Sequence, residues 1–276
     1  MSLQVEIVAP SPIFKPYIEY YKNVITDAEG TFKAVPNTSE ELYFNDKKIR
    51  LRSGTRYALD EPQVHIAGLH HYEQNAFATV DNSVSGGFVI VFKPNGIQNL
   101  FRLSNSEVVG YAVDGENLFR QFTAFLWSEL QNASSIHKKK VIIESYLLRY
   151  IDPGNTLPIL INPILVFIKR EKGMVSAGKI SKYFDISVRS LERKFKDSVG
   201  ISPKEFLQIT RLNHALQLLQ SQKYFSLTRI SYLSGYYDQS HFIKDVEKIC
   251  GFSPGVLQKE KERIEQYDNR SFLKIS

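Results

Sequence analysis

Residues 187–206 read SVRSLERKFKDSVGISPKEF, and residues 238–257 read DQSHFIKDVEKICGFSPGVL. The two stretches share an ending, Gly200-Ile201-Ser202-Pro203 in one and Gly251-Phe252-Ser253-Pro254 in the other. Aligning the Ser-Pro pairs gives an offset of 51 residues. Leu191 then falls on Phe242, Phe195 on Val246, Arg193 on Lys244 and Ser187 on Asp238. Ser187 and Asp238 carry the short oxygen side chains that cap a helix N-terminus. The apolar pairs, four residues apart, fall on one helix face. The same short piece is therefore built twice, and only the first copy is strongly basic.

Working outward, each piece is preceded by a second, shorter helix. AGKISKYF is capped by Ser176 and followed by a turn at Asp185-Ile186; LTRISYL is followed by SGYY, with Gly235 in the turn. A short helix, a tight turn and a second helix make a helix-turn-helix, in which the second helix enters the major groove. Close approach of its helices needs a small side chain in the first one, and Ser181 and Ser231 occupy matching places. Between the units SPKE starts a long helix over 203–220: Ser202 caps, Pro203 takes the first position and Glu205 completes a capping box. Phe206, Ile209, Leu212, Leu216 and Leu219 run down one of its faces. An earlier helix is expected to start with Asn162 as cap and Pro163 next, and to stop at Gly173.

Charge follows the same division. Residues 1–160 hold 15 Lys/Arg and 17 Asp/Glu, net −2, whereas residues 161–276 hold 20 and 12, net +8. Such asymmetry points to a polyanionic partner for the second half. Arg189, Arg193 and Lys196 recur at helical steps on the face away from Leu191 and Phe195, with Glu192 beside them. A guanidinium there matches guanine O6 and N7; a solvated cationic face is the plainer alternative.

These residues, ISKYFDISVRSLERKFKDSVGISPKEF followed by ISYLSGYYDQSHFIKDVEKICGFSP, resemble the DNA-binding domain of AraC/XylS-type transcription regulators over roughly residues 163–258. Arg211, Ala215, Leu218 and Leu219 fall where that family's linking helix has them. The resemblance implies that helices 188–199 and 239–249 read two adjacent major-groove segments of duplex DNA. It carries over Arg189, Glu192, Arg193 and Lys196 in the first helix, and Ser240, His241 and Lys244 in the second, as groove-facing. It also implies RNA polymerase as a partner, an effector acting on the first half, and pairing of subunits. The chain departs from the family at Ser231, where alanine is usual, at Val246, where phenylalanine is usual, and after Pro254, where Tyr-Arg is missing.

The stretch IDPGNTLPILINP, residues 151–163, is rich in turn formers and helix breakers and marks the domain boundary. The expected domains are 1–155, with a β unit over 1–96 and helices over 97–150; 163–258, all helix; and a tail over 259–276. The fold class is α+β. GGFVIVFKP, residues 86–94, is a short apolar run suited to a buried strand. Leu118, Phe122, Phe125 or Leu126, and Trp127 to Leu130 recur at helical spacing, as do Ile136, Val141, Ile142, Tyr146 and Leu148. FKPYIEYYKNV, VPNTSEELYFN, IAGLHH and GGFVIVFKPNGIQNLFRL look similar to the cupin-like β unit that precedes this DNA-binding domain in many family members. A homodimer through the helices of 117–150 is expected from their apolar density and the family habit.

A cupin-like enzyme or metal protein carrying a DNA-binding module is the competing reading. His65, His70 and His71 invite it, but adjacent strand residues point to opposite faces, so His70 and His71 cannot both ligate one ion from a regular strand. No Gly-rich phosphate loop appears, and neither a cofactor nor a catalytic residue is expected. Cys250, the single cysteine, excludes an internal disulfide and reads as a small buried side chain. HKKK, residues 137–140, reads as a solvated helix face. MSLQVEIVAP has no secretory layout, and LPILINPILVFI is too short for a membrane span. A cytoplasmic, soluble protein is expected.

Overall fold

The computed structural model describes residues 3–26, 30–34, 38–45, 50–53, 57–59, 64–67, 76–80, 85–103, 123–151, 161–221, 225–259, 264–267 and 270–274. It divides into two compact units, Met1–Thr31 with Ser39–Leu157, and Phe32–Thr38 with Pro158–Ser276. Residues 152–160 of the boundary stretch, and Leu118 and Phe122 of the expected helical run, lie outside the described residues.

The strands are β1 (Leu3–Val8), β2 (Ile18–Thr26), β3 (Gly30–Ala34), β4 (Glu40–Asn45), β5 (Arg50–Ser53), β6 (Tyr57–Leu59), β7 (Val64–Ala67), β8 (Ala76–Val80) and β9 (Ser85–Phe92). In the first unit a five-stranded sheet runs β1-β2-β9-β4-β7, and its pairs β1–β2, β2–β9, β4–β9 and β4–β7 are antiparallel. β9 lies inside this sheet. Phe88 to Phe92 are all at most 1% exposed, which explains why its sequence is a continuous apolar run and not an alternation. Tyr21 of β2 stacks on Phe88 with ring centroids 5.7 Å apart.

Helices α1 (Gly96–Phe101), α2 (Thr123–Asn132) and α3 (Ile136–Leu147) cover this core with Leu100, Leu126, Leu130, Ile136, Ile143 and Leu147. The inward face of α3 differs from the expected one. Val141 and Leu148 are 67% and 51% exposed, whereas Ile143 and Leu147 are sealed. Nor is the lysine run wholly solvated: the Lys139 stem is buried and its Nζ donates to Asn23 Oδ1 at 3.0 Å. Glu144 of α3 takes Ser11 N at 2.8 Å, Ser11 Oγ at 2.6 Å and the Tyr21 hydroxyl at 3.2 Å. Burial first, then this carboxylate, push the Tyr21 hydroxyl above its ordinary pKa.

The second unit holds α4 (Ile161–Arg170), α5 (Ala177–Tyr183), α6 (Val188–Ser198), α7 (Pro203–Ser221), α8 (Leu227–Leu233), α9 (Gln239–Cys250) and α10 (Pro254–Lys259). Helix α4 begins at Ile161, so Asn162 and Pro163 lie in its first turn and Asn162 is not its cap. Its far end closes at Gly173, φ 72°, whose N–H donates to the Ile168 carbonyl at 3.0 Å. Only glycine fits there, because a Cβ would also sit 2.5 Å from the Leu207 carbonyl oxygen of α7.

Residues 259–276, expected as a tail, contain two strands, β10 (Ile264–Tyr267) and β11 (Arg270–Lys274). They pair as an antiparallel hairpin with Tyr267 opposite Arg270, and β11 pairs with β3, Phe272 opposite Ala34. The available signal was Asp268-Asn269, a two-residue turn former between short β-capable runs.

Candidate nucleic-acid interface

Both helix-turn-helix units are built by the same local devices. Ser176 and Ser226 cap α5 and α8, accepting from Lys179 N at 3.1 Å and Arg229 N at 3.2 Å. After α5 the chain turns through Asp185 at φ 50°, and after α8 through Gly235 at φ 73°. Ile186 N donates to the Ser181 carbonyl at 3.1 Å, and Tyr236 N donates to the Ser231 carbonyl at 3.0 Å. The small side chain inside each first helix hydrogen-bonds locally: Ser181 Oγ donates to the Ile186 carbonyl and Ser231 Oγ to the Thr228 carbonyl.

The caps, the turn residues and the backbone bonds across the turns repeat at an offset of 50, whereas the second helices repeat at 51; the acceptors of the two serine hydroxyls do not correspond. The second turn therefore holds one more residue than the first. Tyr237 is the extra one, and it is 88% exposed. The matched Ser-Pro pairs alone did not disclose it, because their offset registers the second helices only.

The second helices then split their faces as expected. Ser187 accepts from Ser190 N at 3.1 Å to start α6, and Asp238 accepts from His241 N at 2.7 Å to start α9. Leu191, Phe195, Phe242 and Val246 are fully buried. Phe195 meets Phe206 of α7 edge-on at 5.6 Å. Gly200, φ 87°, ends α6 by donating to the Phe195 carbonyl at 2.9 Å. The capping box forms: Ser202 N donates to Glu205 Oε2 at 2.8 Å and Glu205 N to Ser202 Oγ at 3.2 Å. A cap of this kind contributes about 1 kcal/mol. It fixes where α7 begins and hence how the two units are joined.

Arg189, Glu192, Arg193 and Lys196 are all exposed along α6, and Ser240, His241 and Lys244 are exposed along α9. Each set lies opposite its buried pair. The two helices share a cation at Arg193 and Lys244 but differ in charge at two other equivalent positions, Arg189 against Ser240 and Lys196 against Glu247. His241 is held by neighbours, its ring edge-on to Tyr236 at 5.3 Å.

Two features escaped the sequence. Asp245 reads as a surface acid beside Lys244, yet its side chain is 13% exposed and accepts from Gln208 Nε2 of α7 at 3.0 Å. Its place three residues after buried Phe242, at the edge of the inward stripe, was the signal. Arg211 of α7 donates through Nη1 to the Gly235 carbonyl at 3.4 Å and lies 5.1 Å over the Tyr236 ring. Farther along α7, burial and then nearby Lys172 hold the His214 imidazole below its ordinary pKa.

Among the described residues no group of three or more His, Cys, Asp or Glu is placed to hold a metal ion. His70 and His71 lie outside the described residues. Cys250 is buried at the end of α9. No helix of the described residues is long and apolar enough to cross a membrane.

Residues 180–260 match a family model described as a helix-turn-helix domain. Over 87 residues, 32% of this chain, the sequence is 30% identical to the HTH-type transcriptional activator RhaS of Salmonella arizonae. The same identity is found with RhaS of Salmonella paratyphi B. The match spans 31% of the length of these relatives. ToxT of Vibrio cholerae superposes on 94% of this chain and 98% of its own, with 12% identity and a TM-score of 0.49.

Proposed function

We propose that the whole chain is a sequence-specific transcription regulator of the AraC type, proceeding from the helix-turn-helix domain that residues 180–260 match. The observation that carries this reading is the repeated unit itself. Each copy seals the inner face of its second helix and leaves the other face open, Arg189 and Arg193 on α6, Ser240 and Lys244 on α9. Helices α6 and α9 enter adjacent major-groove segments. Arg189, Arg193 and Lys196 supply most of the attraction to the duplex, with Glu192 available to accept from a cytosine amine. Ser240, His241 and Lys244 contribute more to geometry than to charge. The chain acts in the cytoplasm without catalysis of its own, in keeping with relatives that are named transcriptional activators. Residues 1–155 receive an effector or partner signal, and RNA polymerase is the partner of the bound regulator.

The test is a titration of duplex DNA at several salt concentrations. Affinity should fall linearly on logarithmic axes, with a slope of about −0.9 per phosphate neutralised. The net +8 of residues 161–276 motivates this expectation. A fragment of residues 161–259, which holds α4 to α10, should keep the binding; affinity unchanged between low and moderate salt would refute the reading.

Subunits pair through the helices of 117–150. Val141 of α3 and Leu148, the residue after that helix, present apolar side chains to solvent. Sedimentation of the chain should show a dimer that Val141→Asp with Leu148→Asp converts to monomer. A wild-type monomer at high concentration would reject pairing.

A further inference from the structure

The second helix-turn-helix is tied to the linking helix by a closed circuit of side chains. Gln208 and Arg211 stand three apart on α7, hence on one face. From Gln208 the circuit passes to Asp245 Oδ1 at 3.0 Å. The other oxygen of that carboxylate is 3.9 Å from His241 Nε2. The His241 ring meets Tyr236 edge-on at 5.3 Å, and the Tyr236 ring carries the Arg211 guanidinium at 5.1 Å, which returns the circuit to α7. Arg211 also grips the turn itself through the Gly235 carbonyl. Asp245 is the member that joins α9 to both the linking helix and a groove-facing residue. A carboxylate that is 13% exposed needs such partners, because a lost partner leaves its charge poorly solvated.

We propose that Gln208 and Asp245 are positioning residues that fix the rotation of α9 about its own axis relative to α7. They thereby set the spacing between the two base-pair segments that the chain recognises. Apolar packing of Phe242 and Val246 holds α9 in place but is non-directional, and tolerates small rotations. A hydrogen bond to a carboxylate does not, since it weakens steeply with angle. Ser240, His241 and Lys244 sit at the end of that lever. The extra residue Tyr237 makes the second turn longer than the first, so α9 depends on this circuit for its phase. The inference rests on the reading of α6 and α9 as groove-reading helices.

The experiment uses the full chain. A preferred duplex is selected from a random library with the wild type, and variants of it are made with one base pair inserted or removed between the two contacted segments. Wild type should prefer the native spacing at least about tenfold. In Gln208→Ala and Asp245→Ala that preference should fall to about twofold, with affinity for the altered spacings little changed. The double variant should lose no more than either single one, because both remove one interaction. Asp245→Asn, which keeps an acceptor at Oδ1, should retain the preference. Circular dichroism should show unchanged helix content in all variants. If the wild type selects no duplex, the proposed function itself fails. If it selects one and the alanine variants keep its spacing preference, this inference alone fails. It fails equally if they weaken all duplexes alike with loss of helix content, which is the mark of a merely structural role.

Discussion

Phe195→Ala should destabilise the helical unit by about 3–5 kcal/mol and abolish DNA binding with it. Phe195 is 0% exposed and faces Phe206 at 5.6 Å, the contact that seats α6 on α7. Alanine removes the ring's transfer free energy and leaves a cavity between two helices that are each pinned elsewhere, α6 by the Ser187 cap and Gly200, α7 by the capping box. Collapse around the void is therefore limited, which places the cost toward the upper end of the range. Phe195→Leu keeps most of the volume and should cost much less, about 1.5 kcal/mol or below. Denaturant unfolding followed by circular dichroism at 222 nm reads both. An alanine variant as stable as the wild type would mean that α6 is not seated on this core.

The second large effect concerns recognition and leaves the fold alone. Arg193→Ala should lose about 1–3 kcal/mol against the specific duplex, concentrated at one base position. Arg193 lies mid-helix between inward Leu191 and Phe195 and is exposed. Its helical neighbours on the exposed face are Arg189 and Lys196; in the proposed reading these two attract the phosphates and Arg193 grips a base edge. Lys244→Ala should cost less. Its equivalent neighbours are Ser240 and Glu247, so this face carries less cationic charge for a polyanion. Titration of both variants against the selected duplex and a scrambled one separates the outcomes. A phosphate role for Arg193 would weaken both duplexes alike and lower the salt slope by about one. A larger specific loss at Lys244 would reverse the ranking of the two helices.

What could be read without coordinates was local. Caps, turn glycines and apolar pairs four apart act within a few residues, so Ser187, Asp238, Ser202 with Glu205, Leu191 with Phe195, and Phe242 with Val246 all stand as their neighbours dictate. The misreadings are non-local. Which side of α3 is buried depends on where Asn23 and Tyr21 lie across the fold, so spacing alone puts Val141 on the wrong face and Lys139 in solvent. The partner of Asp245, Gln208, is 37 residues away, beyond the reach of local spacing. The hairpin of β10 and β11 finds a partner strand, β3, from the opposite end of the chain. Tyr237 differs in kind: its insertion lay within reach, since the caps Ser176 and Ser226 and the second-helix caps Ser187 and Asp238 give offsets that disagree by one.

The central claim is that one chain reads two groove segments with α6 and α9. Guanine methylation interference on the selected duplex tests it directly, because a methyl group at N7 blocks a major-groove contact. The expected result is two interference clusters on one face of the duplex, about 10–10.5 base pairs apart centre to centre. Arg193→Ala should erase interference in one cluster and Lys244→Ala should weaken it in the other. A single cluster untouched by Lys244→Ala would contradict the claim, leaving α9 as a structural partner of α6 and not a second reader.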